Sequence, residues 1–307
     1  VLRPLVRAAA AAAIVAGFAV PLTRRRFRTP HTVTTAALVA APLGLAVLRP
    51  RTRLRDVALF AQQMWGFVVA HELPFDDVRR AERRLRVTYP IASDTAIGLG
   101  ELPNVRLQQA FAPRPGEDPT NLDRALSIVH WAWFVEPHAA LVWILLRDDD
   151  AFPRAARQMA AAYDLGCAVY ALVPTAPPWW ASEHRYTKRP VRRIMVEVGE
   201  KFWGRAWPRM YSSLGGNPWA AMPSLHFGTS VLAAVLLAEH GRIAGTLGWA
   251  YAGTLGFALV YLGEHYVTDL IAGATLVALV RRGEPLVEPA AQAVSRFAQR
   301  LEGIANG

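Results

Sequence analysis

The chain has 307 residues, a formal net charge of +10 and a single cysteine, Cys167, inside an apolar segment, which excludes an intramolecular disulfide and a cysteine-rich metal site. Hydrophobic residues make up 53% and charged residues 19%, below the roughly 25% charged usual in soluble domains. The charges cluster between long apolar runs, the pattern of a polytopic membrane protein, and the arginine-dominated excess points to anionic or phosphorylated lipids rather than nucleic acid.

Apolar runs predict membrane spans near 5–22, 32–48, 57–71, 125–146, 158–175, 222–238, 244–262 and 267–280. The first, "LVRAAAAAAIVAGFAVPLTRRR", could pass for a signal peptide. No small-residue cleavage site follows it and further spans do, so it is expected to be an uncleaved first span. Several runs are shorter than the roughly 20 residues that cross a bilayer, and their helices are expected to extend into polar flanks. Within 76–89, "DDVRRAERRLRVTY" puts Val78, Ala81, Leu85 and Tyr89 on one helical face and five arginines elsewhere. An amphipathic helix of that kind suits the headgroup layer or the cap of a bundle. The segment 176–221 opens on "PPWW" and carries eight Lys/Arg against three Glu, and its tryptophans suit the membrane interface.

The four arginines at 49–55 suggest a cytoplasmic loop. With eight spans, both termini would then be cytoplasmic, and 72–124 and 176–221 would lie on the extracytoplasmic side. Arg24, Arg25, Arg26 and Arg28 would share that side, against the positive-inside tendency.

The stretch "GGNPWAAMPSLHFGTS" (215–230) sets His226 at the mouth of a span, and an ionisable ring there is a functional hypothesis by default. Further on, "YLGEHYVTDLIAG" spaces His265 and Asp269 four apart, on one face of a helix. A carboxylate on one imidazole nitrogen fixes the tautomer and leaves the other nitrogen as a nucleophile or base. The span beginning near 222 and the one ending near 262 would run antiparallel, so that His226 and His265 can meet at the same membrane surface. Two such histidines beside an arginine-rich loop suit phosphoryl transfer: one attacks phosphorus, the other protonates the leaving oxygen, and guanidiniums hold the remaining oxygens. Ser224 and the free amides that open the helix add an anion site. A metal site of His226, His265 and Asp269, or two unrelated interfacial histidines, are the alternatives. In the 125–146 span, His130, Glu136 and His138 are candidates to line a headgroup pocket, or to pair as packing glue.

"MPSLHFG" followed by "HYVTD" resembles the type 2 phosphatidic acid phosphatase superfamily, whose second motif is Pro-Ser-x-His and whose third ends His-x-x-x-Asp. The resemblance implies a metal-free and cofactor-free site in which His265 is the nucleophile, Asp269 orients it and His226 is the acid. "PTAPPWW", "AAMPSLH" and "LPNVRLQQAF…LDRAL" are similar to the branch of the inositol phosphorylceramide synthases and their bacterial relatives. That likeness adds Gln108 and Asp123 as substrate-binding candidates, since hydroxyl-rich headgroups need acceptors. The family's first motif has no counterpart, and Gly263 and Glu264 stand where the synthase branch commonly carries basic residues. The phosphate clamp is therefore sought among Lys188, Arg189, Arg192, Arg193, Lys201 and Arg205.

The expected fold is an all-α polytopic membrane bundle, a six-helix phosphatase-type core with two N-terminal spans and interfacial helices. The expected divisions are an N-terminal transmembrane pair (1–56), a catalytic phosphotransferase unit (57–282) and a polar C-terminal tail (283–307). The expected activity moves a phospho-headgroup, with phosphoinositol first choice by resemblance, from a membrane phospholipid donor to a lipid or polyol acceptor through a phosphohistidine. Its site would face the extracytoplasmic side of the plasma membrane. A lipid phosphate phosphatase and a non-enzymatic lipid-binding protein are the rival classes.

Overall fold

The computed structural model describes residues 2–214 and 216–307, with the side chains of 211–214 left aside. Among these residues the chain is helical with no strand, only isolated bridges joining Arg86, Thr175 and Ala220. The expected all-α membrane bundle is the fold observed.

Helices α1 (Leu2–Phe27) and α2 (His31–Leu48) form an antiparallel pair. Small residues at the contact, Ala10, Gly17, Ala41 and Gly44, let the backbones approach closely. Helix α3 (Arg53–Glu72) joins the pair to the core, with the Trp65 indole donating to the Gly17 carbonyl at 2.9 Å. The core is completed by α7 (Asn121–Ala132), α8 (Glu136–Arg147), α9 (Phe152–Leu172), α13 (Leu225–His240), α14 (Arg242–Tyr261) and the first half of α15 (Val267–Asn306). Leu141, Ile144, Met159, Tyr163, Leu232, Leu236, Leu255 and Leu259 fill its interior.

Charge pairs define the two ends of this bundle. At one end Arg154 and Arg281 share Glu239, Arg157 pairs with Glu284, and Arg53 meets Asp149 at 3.4 Å. At the other, Arg24 bonds Glu72 at 2.9 Å and Asp76 at 3.1 Å, and Arg25 bonds Asp76 at 2.8 Å. Two of the arginines that counted against the expected orientation are thus matched by carboxylates.

Several expectations need correction. The 125–146 span is broken: α7 and α8 meet at 51°, because the helix stops at Ala132 and restarts at Glu136 before Pro137, and proline suits a first turn but not a continuing helix. The 76–89 segment is not one amphipathic helix. A 3₁₀ turn (Leu73–Asp77) leads into α4 (Val78–Glu82), the helix ends there, and α5 (Thr88–Ile97) follows. Between them the Arg86 amide donates to the Pro174 carbonyl at 2.8 Å, and the Ala176 amide donates to the Arg86 carbonyl at 2.9 Å. This pairing with a distant segment replaces helical bonds.

Not all of the eight expected spans reach the length and apolarity of a membrane crossing on their own. Among the described residues α1, α2 and α14 are long and apolar enough, and the bent pair α7–α8 makes a fourth. Helices α3 and α9 are as long but carry polar groups, among them Gln63 of α3, which donates to Asp164 of α9 at 2.8 Å. Helix α13, at 16 residues, is short. No break falls at residue 283: α15 continues to Asn306, and its end returns to the N-terminal pair, where Arg3 donates to the Ala305 carbonyl at 3.2 Å.

Candidate active site

The site forms where α13 begins and α14 passes into α15. Ser224 caps α13, its hydroxyl accepting from the Phe227 amide at 3.3 Å, and its own amide donates to the Asp269 carbonyl at 2.9 Å. The Tyr170 hydroxyl donates to the Pro223 carbonyl at 2.7 Å. Helices α13 and α15 cross at Gly228 and Gly273, and a Cβ on Gly273 would overlap the Ser224 carbonyl. That close crossing brings the two histidine motifs into contact.

His265 Nε2 lies 3.3 Å from His226 Nδ1, and His265 Nδ1 lies 3.2 Å from Asp269 Oδ2. Asp269 also accepts from the Tyr266 amide at 2.9 Å, so its position is fixed by the helix start as well as by the ring. A neutral His265 that donates from Nδ1 to Asp269 has its Nε2 lone pair directed at His226. His226 packs against two rings. The Trp133 ring centre is 4.1 Å away and the His130 ring centre 5.0 Å away, with 29° between the imidazole planes. Trp133 and His130 stand at the end of α7, beside the 51° break, so the broken helix supplies one wall of the site.

Two residues that the sequence reading did not single out lock this geometry. Asn104, in α6 (Pro103–Phe111), donates to the Val260 carbonyl at 2.7 Å and to the His265 carbonyl at 3.0 Å. Asp94, in α5, accepts from the Val267 and Thr268 amides at 2.7 and 2.9 Å, capping the first turn of α15 and offsetting its positive end. Both are completely buried. The signal that could have found Asp94 is a lone acid in the apolar run "PIASDTAIG".

The basic candidates separate clearly. Arg193, at the start of α11 (Ile194–Trp203), forms a two-pronged pair with Glu264 at 2.8 and 2.9 Å, and its guanidinium stacks over Trp179 at 4.0 Å. Glu264 directly precedes His265. Burial would push its carboxyl up, but the Arg193 guanidinium more than offsets this and holds it below the usual carboxylate range. Gly263 makes the arrangement possible. It sits at φ +82° with the Arg192 carbonyl where a Cβ would be, and its own carbonyl accepts from the Trp179 amide at 3.2 Å.

The other basic candidates are engaged elsewhere or exposed. Arg192 pairs with Glu197, Lys201 meets Asp118 at 2.7 Å, Arg189 meets Glu101 at 3.2 Å, and Lys188 and Arg205 are exposed.

Gln108 and Asp123 spend their hydrogen-bonding capacity internally. Gln108 Nε2 donates to the Arg192 and Tyr261 carbonyls at 2.9 Å, and its Oε1 accepts from the Arg192 amide at 2.9 Å. Asp123 caps α7 through Thr120 and accepts from the Tyr261 hydroxyl at 2.5 Å. They position the Arg192–Arg193 segment and α14 rather than face an open site. Glu136 and His138 open α8 below His226. Glu136 is within reach of Ser230, whose hydroxyl donates to the His226 carbonyl at 2.9 Å, and His138 stacks on Tyr163 at 6.4 Å. Among the described residues no three His, Cys, Asp or Glu side chains are arranged to hold a metal ion.

A membrane helix bundle with an imidazole pair backed by a carboxylate at one end is an integral membrane protein with acid–base machinery at its surface. Residues 117–281, more than half of the chain, match the model of the PAP2 superfamily, and the chain belongs to that superfamily. It is accordingly a lipid enzyme of the phosphatase or phosphotransferase type. No curated protein and no solved structure matches it.

Proposed function

We propose that the protein is an integral-membrane phosphotransferase that cleaves a lipid phosphodiester through a phosphohistidine and passes the phospho-headgroup to an alcohol. The observation that carries this reading is the linear array Asp269–His265–His226, with bond-forming and proton-donating nitrogens 3.3 Å apart. His265 Nε2 attacks phosphorus, and the P–O bond to the lipid alcohol breaks. Doubly protonated His226 gives its Nδ1 proton to the departing oxygen and becomes neutral. In the second half-reaction the acceptor hydroxyl gives its own proton to the neutral His226 as its oxygen attacks phosphorus and the N–P bond breaks. Nitrogens 3.3 Å apart leave no room for a phosphoryl group, so substrate must part the rings.

Charge favours a diester over a monoester. A phosphomonoester carries about −1.5 to −2 at neutral pH, whereas a diester carries a single charge. Arg193, the clamp candidate linked to the residue beside His265, is already offset by Glu264, and the Asp269 carboxylate offsets the protonated His226. A dianion would find little uncompensated positive charge there. In this reading 57–282 is the catalytic unit, Glu136 and His138 line the lipid side beneath His226, and the site faces the extracytoplasmic surface. An inositol-bearing phospholipid is the first donor to test, on the motif resemblance to the inositol phosphorylceramide synthase branch.

The test is incubation of purified protein with headgroup-labelled phospholipids and a panel of lipid and polyol alcohols, with products identified by mass spectrometry. The expected result is a new phosphodiester. Release of inorganic phosphate from monoesters alone, with diesters untouched, would establish a phosphatase instead.

A further inference from the structure

We infer that His130 is a third imidazole of the reaction centre, and that its Nδ1 binds a non-bridging oxygen of the substrate's phosphoryl group. The motifs supply His226, His265 and Asp269 but do not include His130, which comes from the end of α7 nearly 100 residues upstream of His226. Its ring stacks on that of His226 at 5.0 Å with 29° between the planes, and it is 95% shielded from solvent. His265, Glu264 and Arg193 all lie within charge–charge reach of it. It therefore stands close beside the reacting groups.

The ring is poorly explained as packing. Its Nδ1 is buried with no hydrogen-bond partner, and so is the Ser127 hydroxyl one turn earlier on the same face of α7. Burying polar atoms without partners is destabilising, and a phenyl ring would fill the same space without that penalty. An unpartnered imidazole nitrogen beside a nucleophile and an acid is what a hydrogen-bonded ligand oxygen would satisfy.

The chemistry also fits the charge balance of the site. A neutral imidazole N–H stabilises an oxygen of a monoanionic phosphodiester without adding a full positive charge. The wall of the phosphoryl site is then built largely of imidazole, with the Glu264-matched Arg193 at its edge. This assignment rests on the phosphotransferase reading for its substrate, but not for its ligand chemistry, which is a tetrahedral phosphorus oxyanion.

The experiment compares wild type, His130→Phe and His130→Gln in detergent or lipid nanodiscs. Orthovanadate and inorganic phosphate are the calorimetric probes, and donor KM and thermal midpoint are measured beside them. The Phe variant keeps the stacked ring and removes both nitrogens. It is expected to bind the probes at least tenfold more weakly, to raise KM for the donor, and to keep or raise the melting temperature. The Gln variant, which restores a donor and an acceptor, should recover most of that affinity.

Wild-type affinity and KM in His130→Phe would overturn the assignment. So would a Gln variant no better than Phe, or loss of fold in both, which would make the ring a packing element. Wild-type protein that binds phosphate yet transfers no phosphodiester sinks the functional reading alone, and the affinity ratio still decides His130.

Discussion

The dyad depends on one helix crossing, and a single methyl group tests it. At Gly273 a Cβ would sit well inside van der Waals separation from the Ser224 carbonyl. That carbonyl accepts from the Gly228 amide in the first turn of α13, so it cannot simply rotate away. Gly273→Ala must push α13 and α15 apart by about 1 Å, at a cost of about 1–3 kcal/mol for overpacking a tight contact. The same displacement separates His226 from His265, and misplacing reacting groups by about 1 Å costs on the order of 100-fold in rate. Gly253→Ala, on α14, is the control. Nothing lies within 4 Å of its Cβ position, and alanine should favour the helix by about 0.8–1 kcal/mol. Turnover in a saturating donor assay and thermal midpoints in one detergent would be measured for both variants. Wild-type turnover by a folded Gly273→Ala protein would refute the claim that this crossing sets the dyad.

His265→Ala should abolish turnover and any acid-labile phosphoenzyme, whereas Asp269→Asn should retain a residue of activity, because it leaves a nucleophile that is only misoriented; wild-type rates in either variant count against the array. Activity should persist in EDTA and be inhibited by vanadate, and a loss in EDTA that zinc restores would revive the metal alternative. Glu264→Gln removes the carboxylate that offsets Arg193 beside His265, so the ratio of monoester to diester turnover should rise about tenfold or more, as about 1.4 kcal/mol of differential charge interaction implies; an unchanged ratio would remove charge matching from the argument. The Glu264 carboxyl is depressed in the folded protein by Arg193, so its pair stabilises the fold fully above the ordinary glutamate range and is lost as pH falls through the depressed value. Acid melting curves should therefore show a destabilising step in wild type that is missing in Glu264→Gln.

Much of the site was legible because it is local. His265 and Asp269 are four residues apart at a helix start, and helix geometry alone makes them neighbours. Ser224 ahead of an apolar run reads directly as a cap. Apolar runs located the long helices for the same reason, since burial follows the composition of each segment.

What the sequence could not decide depends on contacts between distant segments. The 3.3 Å contact of His226 with His265 follows from a crossing of small residues on two helices. The His130 stack joins residues of α7 and α13, and the Arg193–Glu264 pair joins residues 71 apart in sequence. The 76–89 segment has the periodicity of an amphipathic helix, yet Arg86 bonds the backbone around Thr175 instead. Periodicity records only which face can be buried. Which partner buries it, and which charge meets which, is decided when packing fixes the helices against one another.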